Sequence, residues 1–414
     1  MLLIVLLAIG MSHAPAGHAE TMGKQCNDTA EPAARDPSNP LALANPPGTN
    51  DPIRGAKLWV AGPSHSAAAG AIIHLLGTDR NQKLNTGVAL RGFPDSESYA
   101  DFLKWVDRKL PHYSKHVQYQ VHELEKSAGQ PATVRVNATS GGGAPADIYA
   151  QTRKFVCQLW PQDPGSVMQL STYFLQPTLG GCATTAKIDA YAPKFKAQIN
   201  AVSDAIAANP MIVYAEEDAV GASHCMASKQ SLGAWEALMK YEVDTLERNP
   251  HTVVYIEGGY DDSQDAAYAA SVLNPGGIHD AQGFFTNDTH FQWDSNEWAY
   301  AEQISRRTGG AHFVINTADN GRGPLYHENK ARYGIEQLCN PPDRGLGVRP
   351  TTTPALPGKA AAYPLDGFTW TYPPGFSVGT CHGGPASGYW PELGVSLGAH
   401  ANSQYGPGYK SEPW

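Results

Sequence analysis

The chain has 414 residues, 42% of them hydrophobic and 17% charged, with a formal net charge of −9. That length allows one large α/β domain or two ordinary ones, with ample apolar material for a core. The acidic balance argues against nucleic acid or an anionic membrane as a partner and leaves a neutral ligand such as a glycan open.

The chain begins with the apolar run LLIVLLAIGM (2–11), followed by small residues near Ala14 and Ala19. Ten apolar residues are too few to cross a bilayer but suit the core of a secretion signal, so residues 1–19 read as a signal peptide. Residues 20–52 are polar and proline-rich and read as an extended leader, leaving 53–414 as one domain. The mature protein is then expected to be secreted, free of membrane-spanning segments and monomeric. Six cysteines, Cys26, Cys157, Cys182, Cys225, Cys339 and Cys381, suit that compartment as disulfides, and their spacing alone leaves 15 connectivities open. No metal spacing is present and no cofactor is expected. Sequons at Asn27, Asn137 and Asn287 would be surface positions if glycosylated.

From Lys57 onward, strand-like and helix-like periods alternate. KLWVAG (57–62) reads as a strand, residues 98–113 and 114–129 as helices, and TVRVNATSGGG (133–143) as a strand that breaks at glycines. VMQLSTYFL (167–175) is the next strand and residues 188–208 a long amphipathic helix. MIVYAEED (211–218) and TVVYIEGG (252–259) read as strands ending in carboxylates, with a helix over 232–248 between them. A helix at 263–273, a strand at 283–287, a helix at 295–307 and the strand HFVINT (312–317) follow. Strands regularly followed by helices imply a parallel sheet, either a barrel or a doubly wound sheet, with its site at the C-terminal strand ends.

Several segments in the second half share an order with one known family. IVYAEED (212–218) resembles an I-V-x-E-P-D segment, with Glu217 in place of the proline. TVVYIEGG resembles Y-x-D-A-G, with Glu257 replacing the aspartate. GFFTNDTHFQW (283–293) resembles G-x-x-T-N. FVINTADNGRG (313–323) resembles F-I-V-D-T-x-R-N-G-x-G, with Asn316 replacing the aspartate. CNPPDRGLGVRPTT (339–352) follows a C-N-P-P-G-R-x-L-G-x-x-P-T-T loop. Together, over about 167–390, these resemble glycoside hydrolase family 6, the inverting cellobiohydrolases and endoglucanases.

The resemblance implies a distorted (β/α) barrel, hydrolysis of a β-1,4-glucan or related polysaccharide, and inversion at the anomeric carbon. It places the general acid at Asp218 and pairs Cys182 with Cys225 and Cys339 with Cys381, which leaves Cys26 and Cys157 to pair. It also puts Asn287 and the aromatic residues near it in the sugar cleft, with Trp293 and Trp370 as stacking platforms and His290 and Tyr372 as further candidate contacts.

Two departures bear on mechanism. The family's aspartate before the first loop cysteine is Gly181 here. In the family segment W-x-K-x-x-G-E-x-D-G, the Lys, Glu and proposed base Asp align with Tyr372, Phe376 and Val378. Glu257, at the end of a neighbouring strand, is therefore the first candidate for the base, ahead of Asp261, Asp262 and Asp288. A glycan-binding relative without catalysis, or a shared scaffold with another function, are the competing readings.

Overall fold

The computed structural model describes residues 51–63, 66–77, 99–138, 143–162, 166–180, 182–325, 338–355, 364–406 and 414. The expected signal peptide and most of the expected leader, with Cys26, Asn27 and Gly181, lie outside the described residues.

A curled, parallel sheet organises the chain. β1 (Lys57–Leu58) and β2 (Val134–Asn137) pair with successive parts of β3 (Ser166–Tyr173). β4 (Met211–Ala215), β5 (Thr252–Glu257), β6 (Gly283–Thr286), β7 (His312–Asn316) and β8 (Leu365–Thr369) follow in sequence order, each parallel to the last. β4 to β8 are buried along their whole length, which accounts for the largely apolar runs of β4 to β7.

The curl brings the two edges together. Just before β2, the Thr133 backbone N–H and hydroxyl donate to the Trp370 carbonyl beyond β8, at 3.1 and 2.7 Å. Nearer β1, the Thr352 hydroxyl donates to the Ala56 carbonyl at 3.0 Å. Inside the curl pack Tyr214, Tyr255, Phe285 and Val314. Below them Asp366 accepts hydrogen bonds from Tyr255 (2.7 Å) and Gln282 (3.1 Å) and meets His312 Nδ1 at 2.5 Å.

Helices cover the outer face. α1 (Ala67–Gly77), α2 (Tyr99–Lys109) and α3 (Lys115–Ala128) share a core of their own around Ile72, Phe102, Val106 and Leu124. α4 (Pro145–Gln162) precedes β3, and the short α5 (Leu175–Leu179) follows it. α6 (Thr185–Ile206) is capped by Thr184, whose side chain accepts from Lys187 N, and buries Ile188, Tyr191, Phe195, Ile199 and Val202 at helical spacing. α7 (Ala219–Ser223) leads into α8 (Lys229–Leu246), which starts at the Ser228 cap and sinks Trp235, Leu238 and Met239 into the same core. Each such large side chain contributes about 1.5–3 kcal/mol on burial. α9 (Ala266–Leu273), α10 (Asp294–Arg307) and α11 (Pro391–Ala399) complete the layer.

The strands read from 167 onward and the helices at 98–129, 188–208, 232–248, 263–273 and 295–307 all recur within a few residues. Helices α1, α4, α5, α7 and α11 were not anticipated; α1, for example, is an alanine-rich segment with almost no polar stripe to mark a period. The bonds Cys182–Cys225 and Cys339–Cys381 are both formed. Cys157 is disulfide-bonded, but its expected partner Cys26 is not among the described residues. No helix among those residues is long and apolar enough to cross a membrane.

Thr133→Val keeps the shape but removes the hydroxyl that helps close the sheet. It should lower unfolding free energy by about 0.5–1.5 kcal/mol in denaturant titration, and no loss would deny that bond a role. Burial also pushes the carboxyls of Glu247, Glu257 and Asp294 up to about 8. Below the ordinary carboxylate range both folded and unfolded chains hold these protons. Between roughly pH 4.5 and 8 the unfolded chain releases them while the native state retains them, so stability falls as pH rises. The unfolding temperature should therefore be higher near pH 5 than near pH 8; a rise over that window would contradict these burials.

Candidate active site

The C-terminal strand ends converge on three consecutive carboxyl residues after β4. Glu216 and Asp218 both have left-handed backbone, φ 54° and 61°, which is strained for residues other than glycine. The turn is held by its own side chains. Glu216, 1% exposed, accepts from Phe174 N at 3.0 Å and Leu175 N at 2.7 Å beyond β3. Burial and the neighbouring Glu242 push its carboxyl well above the usual range.

Glu217 turns the other way, to Arg135 on β2. Arg135 Nε donates to Oε1 at 3.0 Å, and a second guanidinium nitrogen reaches Oε2, giving a two-pronged ion pair. The guanidinium also lies 4.4 Å from the Tyr372 ring centroid and 5.2 Å from that of Tyr173. Burial pushes Glu217 up to about 7 against the pull of Arg135.

Asp218 is the member of the three that faces the rim. It is half-buried and accepts hydrogen bonds from the Tyr260 hydroxyl on Oδ1 and the Tyr173 hydroxyl on Oδ2, the latter at 3.3 Å. The Tyr260 ring stacks on His290, centroids 3.7 Å apart, and His290 Nδ1 meets Asp262 at 2.6 Å.

Glu257 sits beneath this turn and is wholly buried. Its carboxyl accepts from Val220 N at 2.6 Å and Gly259 N at 2.5 Å, tying β5 to the start of α7. Its elevated pKa has burial as the main cause and the Asp218 charge as the second. With both oxygens engaged by backbone, Glu257 does not have the open face that a base acting on water requires. This corrects the expectation drawn from its strand position.

Of the expected sugar contacts, His290 and Tyr372 line a cavity and three do not. Asn287 is fully buried: its amide donates to the carbonyls of Gln292 (3.1 Å) and Asn316 (3.0 Å), and its oxygen accepts from Gln292 N. It is therefore neither a cleft contact nor an exposed glycosylation position. Trp293 lies beneath Gly323, where an added Cβ would come within 2.2 Å of the indole. Trp370 is 0% exposed and donates to the Val348 carbonyl. These two tryptophans are packing residues, because the loops that follow β7 cover them.

Residues not anticipated for the site now appear in it: Arg135, Tyr173, Tyr260 and Asn316. The visible signal for Arg135 was a single cation inside the apolar strand TVRVN. Asn316 donates to the carbonyls of Asn287 (2.9 Å) and Asp288 (2.7 Å) and accepts from Thr371 N (3.1 Å), joining the ends of β6, β7 and β8.

Two cavities flank the cluster. One of about 280 Å³ is walled by Thr133, Arg135, Phe155, Tyr372, Phe376 and Tyr389 among others. A smaller one, about 20 Å³, lies between the Asp288–His290 loop and Asp319, Tyr372, Phe376 and Val378. The wall carrying Val378 is fixed by the CNPP loop: Asn340 accepts from Val378 N at 3.0 Å and donates to the Gly379 carbonyl at 2.7 Å, beside the Cys339–Cys381 bond. No three-residue group of His, Cys, Asp and Glu fit to hold a metal occurs among the described residues.

Comparison with known proteins agrees with this architecture. The family model described as glycosyl hydrolases family 6 matches residues 178–395, just over half of the chain. Endoglucanase A of Cellulomonas fimi is 30% identical over 204 residues, covering 49% of this chain and 41% of that protein. Endoglucanase 1 of Streptomyces sp. (strain KSM-9) is 29% identical over 194 residues, covering 46% and 49%. The chain thus spans about half the length of these curated relatives. Among solved structures, endoglucanase Cel6 from Mycobacterium tuberculosis, in complex with methyl-cellobiosyl-4-deoxy-4-thio-β-D-cellobioside, superposes with a TM-score of 0.57 at 27% identity. That match covers 67% of this chain and 89% of the other. Endoglucanase CEL6B from Humicola insolens shares the fold, with a TM-score of 0.59 at 15% identity over 88% and 98% of the two chains. On this match and this fold, the chain belongs to family 6 of the glycosyl hydrolases.

Proposed function

We propose that the chain is a secreted glycosidase that cleaves a β-1,4-glucan or a related polysaccharide with inversion, and that Asp218 is its general acid. The observation that carries this reading is the isolation of Asp218. Of three adjacent carboxyl groups, two are anchored inside the protein, and the third points to the rim between two tyrosine hydroxyls. In the reaction Asp218 gives its proton to the glycosidic oxygen as the bond to the anomeric carbon breaks, while water attacks the opposite face. Residues 53–414 are the catalytic unit in this reading, and the apolar N-terminal run directs export, consistent with the disulfides.

Glu257 serves as a positioning residue: it fixes the start of α7 and so the turn that presents Asp218. His290 and Tyr372 are the retained candidates for contact with sugar. A glycan-binding protein without catalysis is the second reading, favoured by the aliphatic Val378 at the position aligned with the family's proposed base.

Asp218→Asn should lower hydrolysis of unactivated β-glucans by about 10²–10⁴-fold, with the unfolding temperature nearly unchanged. Reducing-end release at the wild-type rate from this variant would remove Asp218 from the acid role.

A further inference from the structure

We infer that Asp288 is the base of this reaction, activating water from across the small cavity that Val378 lines. The inference rests on the glycosidase reading above.

Val378 is 44% exposed and aliphatic, so it can take no proton. The cavity it helps to line, of about 20 Å³, has room for about one water molecule. Asp288 lines the same cavity. This carboxyl is 2% exposed; among the described residues no hydrogen bond of good geometry reaches either oxygen, and the Thr371 hydroxyl is the neighbouring donor. An unsatisfied buried carboxyl costs several kcal/mol relative to a hydrogen-bonded one. Such a group beside a cleft is a candidate for chemistry.

Its place is fixed rather than adaptable. The Asp288 carbonyl accepts from Asn316, and the buried Asn287 amide clamps the same loop. The groups that act on its carboxyl are Glu217 and Asp218 after β4, Arg135 on β2 and Thr371 after β8. Burial and Glu217 push its pKa well above the usual range, whereas Arg135 and Thr371 restrain it. Tyr260 and Tyr372 feel its charge in turn. Once ionised, a carboxylate with a raised pKa is a stronger base than a solvated one.

The step balances without another reactant. The water oxygen bonds to the anomeric carbon on the face opposite the leaving oxygen, and its proton passes to the Asp288 carboxylate. The proton of Asp218 passes to the leaving oxygen as its bond to that carbon breaks. Exchange with solvent then deprotonates Asp288 and reprotonates Asp218.

The test compares wild type, Asp218→Ala, Asp288→Ala, Asp288→Asn and Glu257→Ala on two substrates. One is cellotetraose; the other is 2,4-dinitrophenyl β-cellobioside, whose leaving group needs no proton. Asp218→Ala should lose cellotetraose cleavage yet keep most of its rate on the aryl glycoside. Both Asp288 variants should lose about 10²-fold or more on both substrates. Azide should restore aryl-glycoside cleavage to Asp288→Ala, giving the α-glycosyl azide, and should not restore it to Glu257→Ala. If Asp288→Ala does not fold, the near-isosteric Asp288→Asn decides, with its unfolding temperature recorded alongside. Wild-type rates in a folded Asp288→Asn, or azide rescue of Glu257→Ala instead, would overturn this assignment while leaving Asp218 in place. Full cellotetraose cleavage by Asp218→Ala would overturn the acid assignment, whereas a wild type inert on both substrates would overturn the glycosidase reading and this assignment with it.

Discussion

The anchoring of one short turn holds the site together. Glu216, Glu217 and Asp218 form an unusually charged ending for a buried strand, and their mutual repulsion would scatter them if each were free. Instead Glu216 is bound by the backbone beyond β3 and Glu217 by Arg135 from β2, while Glu257 from β5 grips the first turn of α7. Four neighbouring strands thus contribute to one backbone conformation. Two non-glycine residues with positive φ cost on the order of 1–3 kcal/mol each, and such strain persists only where surrounding bonds over-determine it. The result is that only Asp218 faces the rim.

The same anchors tune the electrostatics. Removing carboxyls from water favours their neutral forms, and burial is the leading cause at Glu216, Glu217, Glu257 and Asp288 alike. Arg135 is the counterweight: its planar fork satisfies Glu217 while its faces lie against Tyr173 and Tyr372. It fills part of the rim with a bound ion pair and leaves an aromatic and largely apolar cavity beside it. A cleft of this kind differs from one lined by the Lys and Glu of the family segment. In the proposed reading, sugar recognition would depend more on ring faces and less on charged contacts to hydroxyls.

Much of the scaffold was legible because it depends on local patterns. Apolar runs marked β4 to β7, 3.6-residue periods marked α2, α3, α6, α8 and α10, and the short motifs in the second half indicated the family and two disulfide pairs. The site was less legible because its contacts are long-range. The Arg135–Glu217 pair joins residues 82 positions apart, and nothing local to either residue specifies the other. Motif matching also transfers position in the chain without orientation. Asn287, Trp293 and Trp370 fall in cleft-forming segments, yet loops packed over β6, β7 and β8 bury all three. Glu257 was read correctly as ending a strand, but whether a carboxyl there meets water or backbone amides depends on the course of α7.

The central claim is that this family 6 scaffold still performs an inverting hydrolysis through Asp218. The most direct measurement is proton NMR of the anomeric region during the first minutes of cellotetraose cleavage by the wild-type protein, before mutarotation. The account predicts that the newly formed reducing end appears first as the α-anomer. Initial release of the β-anomer would contradict inversion, and the absence of any cleavage would contradict catalysis.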